Sequence, residues 1–273
     1  MRRMKNYNSL MIFTLLLSLS LYGQQNKPNI FFQKLNNLFP SRDALNSIEL
    51  SEIPVEELDS MITLLYDGYA DNPISFLNTY KSNHENFNNA AKNDRNLAET
   101  DVKPAIKIKK LQELIASKRG EAFALYIKIP FFFKGTLTSI NRNELTLPDG
   151  RKIFGNKVSL TFLVSNVLKG SHIIKEGNEI IVEYSPYWLE DGYNLEPIIG
   201  KEYFVPASVL SDYDDYSVLS LYNYKPPYIT EIEQGQITSI WLDDKTVTIL
   251  SWEEFADEFR RKYIIEKEEN SIK

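Results

Sequence analysis

Cysteine is absent from the 273-residue chain, and histidine occurs only at His84 and His172. Disulfides, thiolate metal centres, thiol nucleophiles and a cysteine-anchored lipoprotein are thereby excluded. With two distant histidines, a histidine-based triad or a His-rich metal site has little to be built from, and neither a metal nor a cofactor is expected. Glycine is sparse, at 11 residues. Gly135, Gly170, Gly177 and Gly200 do not open a helix in the spacing that a phosphate-binding loop requires. Cations are outnumbered too: 31 Lys and Arg stand against 37 Asp and Glu, a net charge of -6. Phosphate contacts need clustered Lys and Arg, so a nucleic-acid partner is not expected.

Long apolar runs are also missing, with one exception at the start. Arg2, Arg3 and Lys5 precede an apolar and small-hydroxyl run from Leu10 to Tyr22 that ends near Gly23. A cationic beginning, an apolar stretch of this length and a small residue after it spell a secretory signal peptide over residues 1–25, cleaved near Gly23. The run is short for a membrane span, so no stable transmembrane segment is expected after cleavage. Met4, Lys5 and Asn6 do not continue a twin-arginine pattern, which favours the general secretory route. Cleavage removes three cations and no anion, taking the net charge to -9. The expected location is secreted or periplasmic.

What is present divides into a helical stretch and a β stretch. Phe31, Phe32, Leu35, Leu38 and Phe39 recur at three and four until Pro40 and Ser41 break the run. Val55, Leu58, Ile62, Leu65, Tyr66 and Tyr69 predict a second helix, with Pro54 before its first turn and Gly68 near its end. Asn72-Pro73 opens a short helix with Ile74, Leu77 and Tyr80. Residues 82–103 are rich in Asn, Lys and acids and read as a solvated connection or an exposed helix, with a boundary there. His84 within it reads as a surface group. A further helix over 105–119 places Ile108, Leu111, Leu114 and Ile115 on one side, and Gly120 ends it. Its Lys107, Lys109, Lys110, Lys118 and Arg119 form the densest basic patch, read as a solvated face.

The β stretch follows. Ala122 to Ile129 and Phe131 to Ile140 are expected strands separated by Pro130. Asn141-Arg142-Asn143 is an expected turn, and Pro148-Asp149-Gly150 a hairpin signal. In Lys157 to Gly170, Val158, Leu160, Phe162 and Val164 share one parity against Ser159, Thr161 and Ser165, the period of a half-buried strand. Glu179 to Tyr184 alternates again, with Ile180, Val182 and Tyr184 inward, and Gly200 leads into a strand through Val205. Gln236 to Leu242 should pair through Asp243-Asp244 with Thr246 to Leu250. Ser251 and Glu254 then form a capping box, with Leu250 against Phe255 as its staple. Trp252, Phe255, Ala256, Phe259 and Tyr263 make the buried stripe of a last helix covering a β-barrel.

The succession of Phe133-Lys134-Gly135-Thr136-Leu137, Val167-Leu168-Lys169-Gly170, Gly177 to Val182 and Gly200 to Val205 resembles the netrin-like, TIMP-type OB-fold domain in its cysteine-free bacterial form, over roughly residues 121–250. The resemblance implies a five-stranded OB-like β-barrel; with the helical N-terminal region read before it and the C-terminal helix capping it, an α+β protein is expected. Its parts are a signal peptide (1–25), a helical region with a polar connector (26–104), the barrel with flanking helices (105–265) and a flexible tail (266–273). It also implies a non-catalytic interaction module. In the animal inhibitors of this family an N-terminal cysteine reaches a protease's zinc, and this chain has no cysteine for that mechanism.

Candidate chemistry centres on two acidic loops. Tyr187, Trp188 and Tyr193 stand beside Glu190 and Asp191, a set suited to stacking a sugar while carboxylates accept hydroxyl hydrogens; the alternative is a solvated loop whose rings pack on the barrel. Asp212, Asp214 and Asp215 lack the glycine and distal glutamate of a calcium loop and read as surface charge. Three function classes are open. The favoured one is a non-catalytic binding protein for a protein or carbohydrate ligand, not an enzyme. The others are a carbohydrate-active hydrolase using the carboxylate pair, and a cysteine-independent protease inhibitor.

Overall fold

The computed structural model describes residues 28–93, 102–146, 152–186, 195–209, 216–221, 229–239, 242 and 248–263. They fall in two compact units, one within Met1–Gly68 and Ser75–Leu114, the other within Tyr69–Ile74 and Ile115–Lys273. Together they make a mixed α+β protein with seven α-helices and a closed five-stranded barrel among the described residues.

The first unit is helical. A helix over residues 28–38 (α1) is followed by α2 (Arg42–Ser47), a 3-10 turn (Leu50–Glu52), α3 (Val55–Asp71), α4 (Pro73–Asn93) and α5 (Pro104–Arg119). The break at Pro40-Ser41 is where Ser41 caps α2, its hydroxyl accepting from the Ala44 N–H at 3.2 Å. Phe31, Phe32, Leu35 and Phe39 are buried, and Phe31 meets Phe76 of α4 with ring centroids 5.4 Å apart. Gly68 permits this approach, because a Cβ there would lie 2.2 Å from the Phe76 ring. On α3 the buried stripe is Leu58, Met61, Ile62 and Leu65, whereas Val55, expected on it, is exposed in the first turn. Residues 82–93 are helical, the second of the two readings open for that stretch, and they continue α4 past the short helix expected at its start. The stripe foreseen on α5 is buried as expected.

The second unit is built on β1 (Phe131–Thr146), β2 (Lys152–Lys169), β3 (Glu179–Tyr184), β4 (Glu202–Val209) and β5 (Val218–Leu221), preceded by α6 (Glu121–Lys128). The strand order β1-β2-β3-β5-β4 returns to β1 through a second pairing, Phe131 opposite Ala207 through Thr136 opposite Glu202. That pairing closes the ring. β3 and β5 run parallel, with Ile181 opposite Val218. All other pairings among the described strands are antiparallel. β6 (Thr230–Glu233), β7 (Gln236–Ser239) and β8 (Thr248–Ser251) extend the sheet from the first half of β4.

Inward positions keep the period of two. Val158, Leu160, Phe162 and Val164 of β2 are buried with Phe131, Phe133 and Leu137 of β1, Val182 of β3, Tyr203, Val205 and Ala207 of β4 and Leu219 of β5. Phe132 and Phe204 have the opposite parity and face outward. There they meet α7 (Trp252–Tyr263): Phe204 lies 5.2 Å from Phe255, and Phe132 lies 5.2 Å from Phe259. The last helix therefore covers the flank of the barrel at the β1–β4 seam, and its buried residues are the five foreseen. Its capping box is formed, Ser251 Oγ accepting from the Glu254 N–H at 3.3 Å and the Ser251 N–H donating to Glu254 at 3.1 Å.

Two expected features are corrected. Ala122 to Ile129 is not a strand but α6, starting after Gly120 at φ 91 and closing with the Ile129 N–H on the Leu125 carbonyl at 3.0 Å. Ala122, Phe123, Ala124, Tyr126 and Ile127 are all buried, and a segment buried all round shows no period by which helix and strand can be told apart. Asn141-Arg142-Asn143 is not a turn either. β1 runs on to Thr146, and the turn-forming residues lie at a register irregularity between Arg142 and Glu144, where a strand tolerates them. The hairpin placed over 148–150 brings Thr146 opposite Lys152, although its own turn residues are outside the described ones.

Candidate functional site

The sequence-predicted site residues Tyr187, Trp188, Glu190, Asp191 and Tyr193 lie outside the described residues, as do Asp212, Asp214 and Asp215. The structure does define where the segment bearing the first set leaves and rejoins the barrel. β3 ends at Tyr184, whose ring belongs to the barrel core, and Ser185 after it is buried. Leu195 rejoins the same core, and the Tyr184 hydroxyl donates a long 3.5 Å hydrogen bond to the Leu195 carbonyl. Burial raises the Tyr184 phenol pKa, against a smaller downward pull from the Arg142 cation. The phenol therefore stays a donor at neutral pH, and one residue clasps both ends of the segment.

The returning limb is fixed just as firmly. The Lys201 N–H donates to the Ile198 carbonyl at 3.2 Å, making a tight turn in which Gly200 supplies φ +88. The turn is bolted to β1: the Gly200 N–H donates to the Leu137 carbonyl at 2.8 Å, and the Leu137 N–H to the Lys201 carbonyl at 2.9 Å. The Ile198 N–H meets the Tyr203 hydroxyl at 2.8 Å. Ile198 and Ile199, 55% and 57% exposed, are held at this rim. Sequence reading missed them, since two adjacent isoleucines before a glycine carry no period.

No family model, no curated protein and no solved structure matches the chain.

Charged groups on the barrel wall are paired across neighbouring strands. Lys134 meets Glu202 at 3.2 Å, Lys157 meets Glu183 at 3.5 Å and Lys201 meets Glu231 at 2.9 Å. The hydrogen bond to Glu231 is the largest cause of a raised Lys201 pKa. Partly exposed pairs of this kind each add little to stability. Among the described residues no group of three or more histidines and carboxylates is gathered. His84 has its Nδ1 3.0 Å from the Asn88 amide nitrogen one turn along α4, and His172 is exposed. His84, expected as a surface group, is half-buried beside the Tyr80 ring.

Two buried lysines depart from the sequence reading. Lys107, counted in a solvated basic patch, is 3% exposed and donates to Asn36 Oδ1 at 3.0 Å. Lys169, whose odd position in the Lys157 to Gly170 stretch puts it on the polar parity, is 4% exposed at the end of β2. Its ammonium donates to the Tyr126 carbonyl at 2.7 Å and stands 4.5 Å from the centre of the Tyr126 ring. Burial lowers its pKa well below 10.5. A desolvated lysine is what carbonyl chemistry requires, but this one faces a backbone oxygen and an aromatic face. Its role is to hold α6 on the barrel.

Proposed function

We propose that this protein is an exported, non-catalytic binding protein whose barrel is of the OB type and whose ligand contacts come from the segment joining β3 to β4. The ring β1-β2-β3-β5-β4, closed on β1 with a parallel β3–β5 step, supports the OB reading. The netrin-like relation adds the glycine-led entries to β3 and β4. The observation that carries the functional reading is the clasp at Tyr184 and Leu195, which joins the described residues on either side of the segment bearing residues 187–193. In that segment Tyr187, Trp188 and Tyr193 supply stacking faces and Glu190 and Asp191 supply acceptors, the chemistry that recognises a carbohydrate.

The test is a panel of soluble oligosaccharides titrated against the purified chain and against Trp188→Ala and Glu190→Gln/Asp191→Asn. Saturable binding that weakens about tenfold or more in Trp188→Ala is the expected result, since loss of a central aromatic anchor typically costs at least ~2 kcal/mol. Binding without turnover separates this reading from a hydrolase. Binding unchanged in Trp188→Ala, or no glycan bound at all, overturns it. Export has its own check: expressed with a secretory pathway, the chain should be recovered beginning near residue 24, and an intact Met1 terminus would count against it.

A further inference from the structure

A recess lies wholly within the helical unit. It is a cavity of about 390 Å³ lined by Arg42 at the start of α2, Lys92 near the end of α4 and Lys103 just before α5, over apolar walls of Phe87, Ala91 and Ile106. Asn88 also borders it, but its amide already meets His84. We propose that this cavity binds a small organic oxyanion, a phosphate or sulfate monoester with an apolar body.

Three observations converge on that chemistry. Three cations share one hollow in a chain whose net charge is -6. Like charges brought together repel, and among the described lining residues no acid stands with them. Among the described residues none of the three is held by an ion pair or side-chain hydrogen bond, while Lys34, Lys107, Lys134, Lys157 and Lys201 each have a partner. Finally, the apolar wall is uncovered: Ile106 is 45% exposed and Phe87 half-buried. An oxyanion head among the cations accepts charge-assisted hydrogen bonds, two of them from the planar fork of Arg42, while an apolar body covers Phe87 and Ile106. The volume is that of a small-molecule site. Cations converging on a recess, rather than spread over a flat face, favour such a ligand over a membrane surface.

Phenyl phosphate and phenyl sulfate are the probes, titrated into the purified, isotopically labelled chain with backbone amide shifts read by NMR. Saturable shifts confined to the recess, at Phe87, Ala91 and Ile106, are expected with one or both, and their relative affinities distinguish the two heads. Inorganic phosphate should bind more weakly and phenol should not bind. Arg42→Gln or Lys103→Gln should each weaken binding about tenfold, the usual loss of one charge-assisted contact, and affinity should fall with added salt. Lys109→Gln changes an exposed cation of α5 outside the recess and should leave affinity unchanged. All three substituted side chains are exposed, so the fold should persist. Absence of saturable shifts overturns the proposal, as does equal weakening by Lys109→Gln, equal binding of phenol, or binding only to vesicles containing phosphatidylglycerol.

Discussion

The Lys169 ammonium donates to the Tyr126 carbonyl at 2.7 Å. In a continuing helix that carbonyl would accept from the N–H four residues on, but position 130 is proline and has none. α6 thus ends with a buried acceptor that its own backbone cannot satisfy, and β2 supplies the donor. The cation also sits at the negative end of the helix.

Removing that donor should reveal a pH dependence with a definite sign. Burial holds the folded-state pKa of Lys169 well below 10.5, so between that value and 10.5 the unfolded chain binds more protons than the folded one. Stability contributed by this group therefore rises with pH across that window, and the penalty of burying the charge is fully present below it. In Lys169→Met this slope is absent. Urea unfolding at pH 7 and pH 10 should show the parent gaining on the variant as pH rises. At pH 10, where a neutral amine can still donate, the variant should be less stable by about 1–3 kcal/mol from its orphaned carbonyl. Parallel pH profiles for the two proteins would reject the account.

The residue after Lys169 is constrained twice over. Gly170 has φ +87, and a Cβ there would lie 2.5 Å from the buried Phe131 ring and 3.1 Å from the Pro130 carbonyl. Gly177 has φ +83 with nothing within 4 Å. Gly177→Ala should therefore cost only the backbone term, about 1–2 kcal/mol. Gly170→Ala should cost a further ~1–3 kcal/mol as Phe131 is pushed off its packing. Denaturation midpoints of the two variants, measured together, provide the comparison, and equal losses would mean that the Phe131 contact has no weight.

At the start of α7, Ser251→Ala removes the acceptor of the Glu254 N–H and should destabilise by about 1 kcal/mol. The Ser251 hydroxyl, and after it the Ser251 N–H, hold the Glu254 pKa below 4.5. A depressed carboxyl contributes stability above its unfolded pKa and loses it as pH falls through the folded one. The gap between parent and Ser251→Ala should accordingly narrow on acidification below the usual carboxylate range. A gap that stays constant from pH 7 to pH 3 would dissociate the cap from the carboxylate.

That capping box was legible in the sequence because every signal it needs lies within a few residues of Ser251. The inward parity of β2 was legible for a similar reason: one face of Val158 to Val164 is wet, so polar and apolar residues alternate. Where both faces are covered the signal vanishes, which is why α6 reads as a strand. β5 and β6 escaped notice because four residues give barely two periods, and β5 carries the parallel step that completes the ring. The burial of Lys169 had an indirect signal. Once 121–128 is a helix, Pro130 leaves the Tyr126 carbonyl without a donor, and the nearest cationic residue of a neighbouring strand becomes the candidate. Of the candidate binding site, the residue types are legible in 187–193, whereas the clasp at Tyr184 and Leu195 needs the fold, since its partners sit on opposite sides of that segment.

The β1–β4 seam dictates an order of assembly. Phe131, Phe132 and Phe133 are all fully buried, but Phe131 is paired by Ala207, and Phe132 is roofed by Phe259 near the end of the chain. During synthesis this run of three phenylalanines leaves the ribosome long before the strand and helix that cover it exist, and ring closure over so large a sequence separation is slow. Phe131 and Phe133 are thus covered only once the barrel strands close around them, and Phe132 only once α7 is also in place.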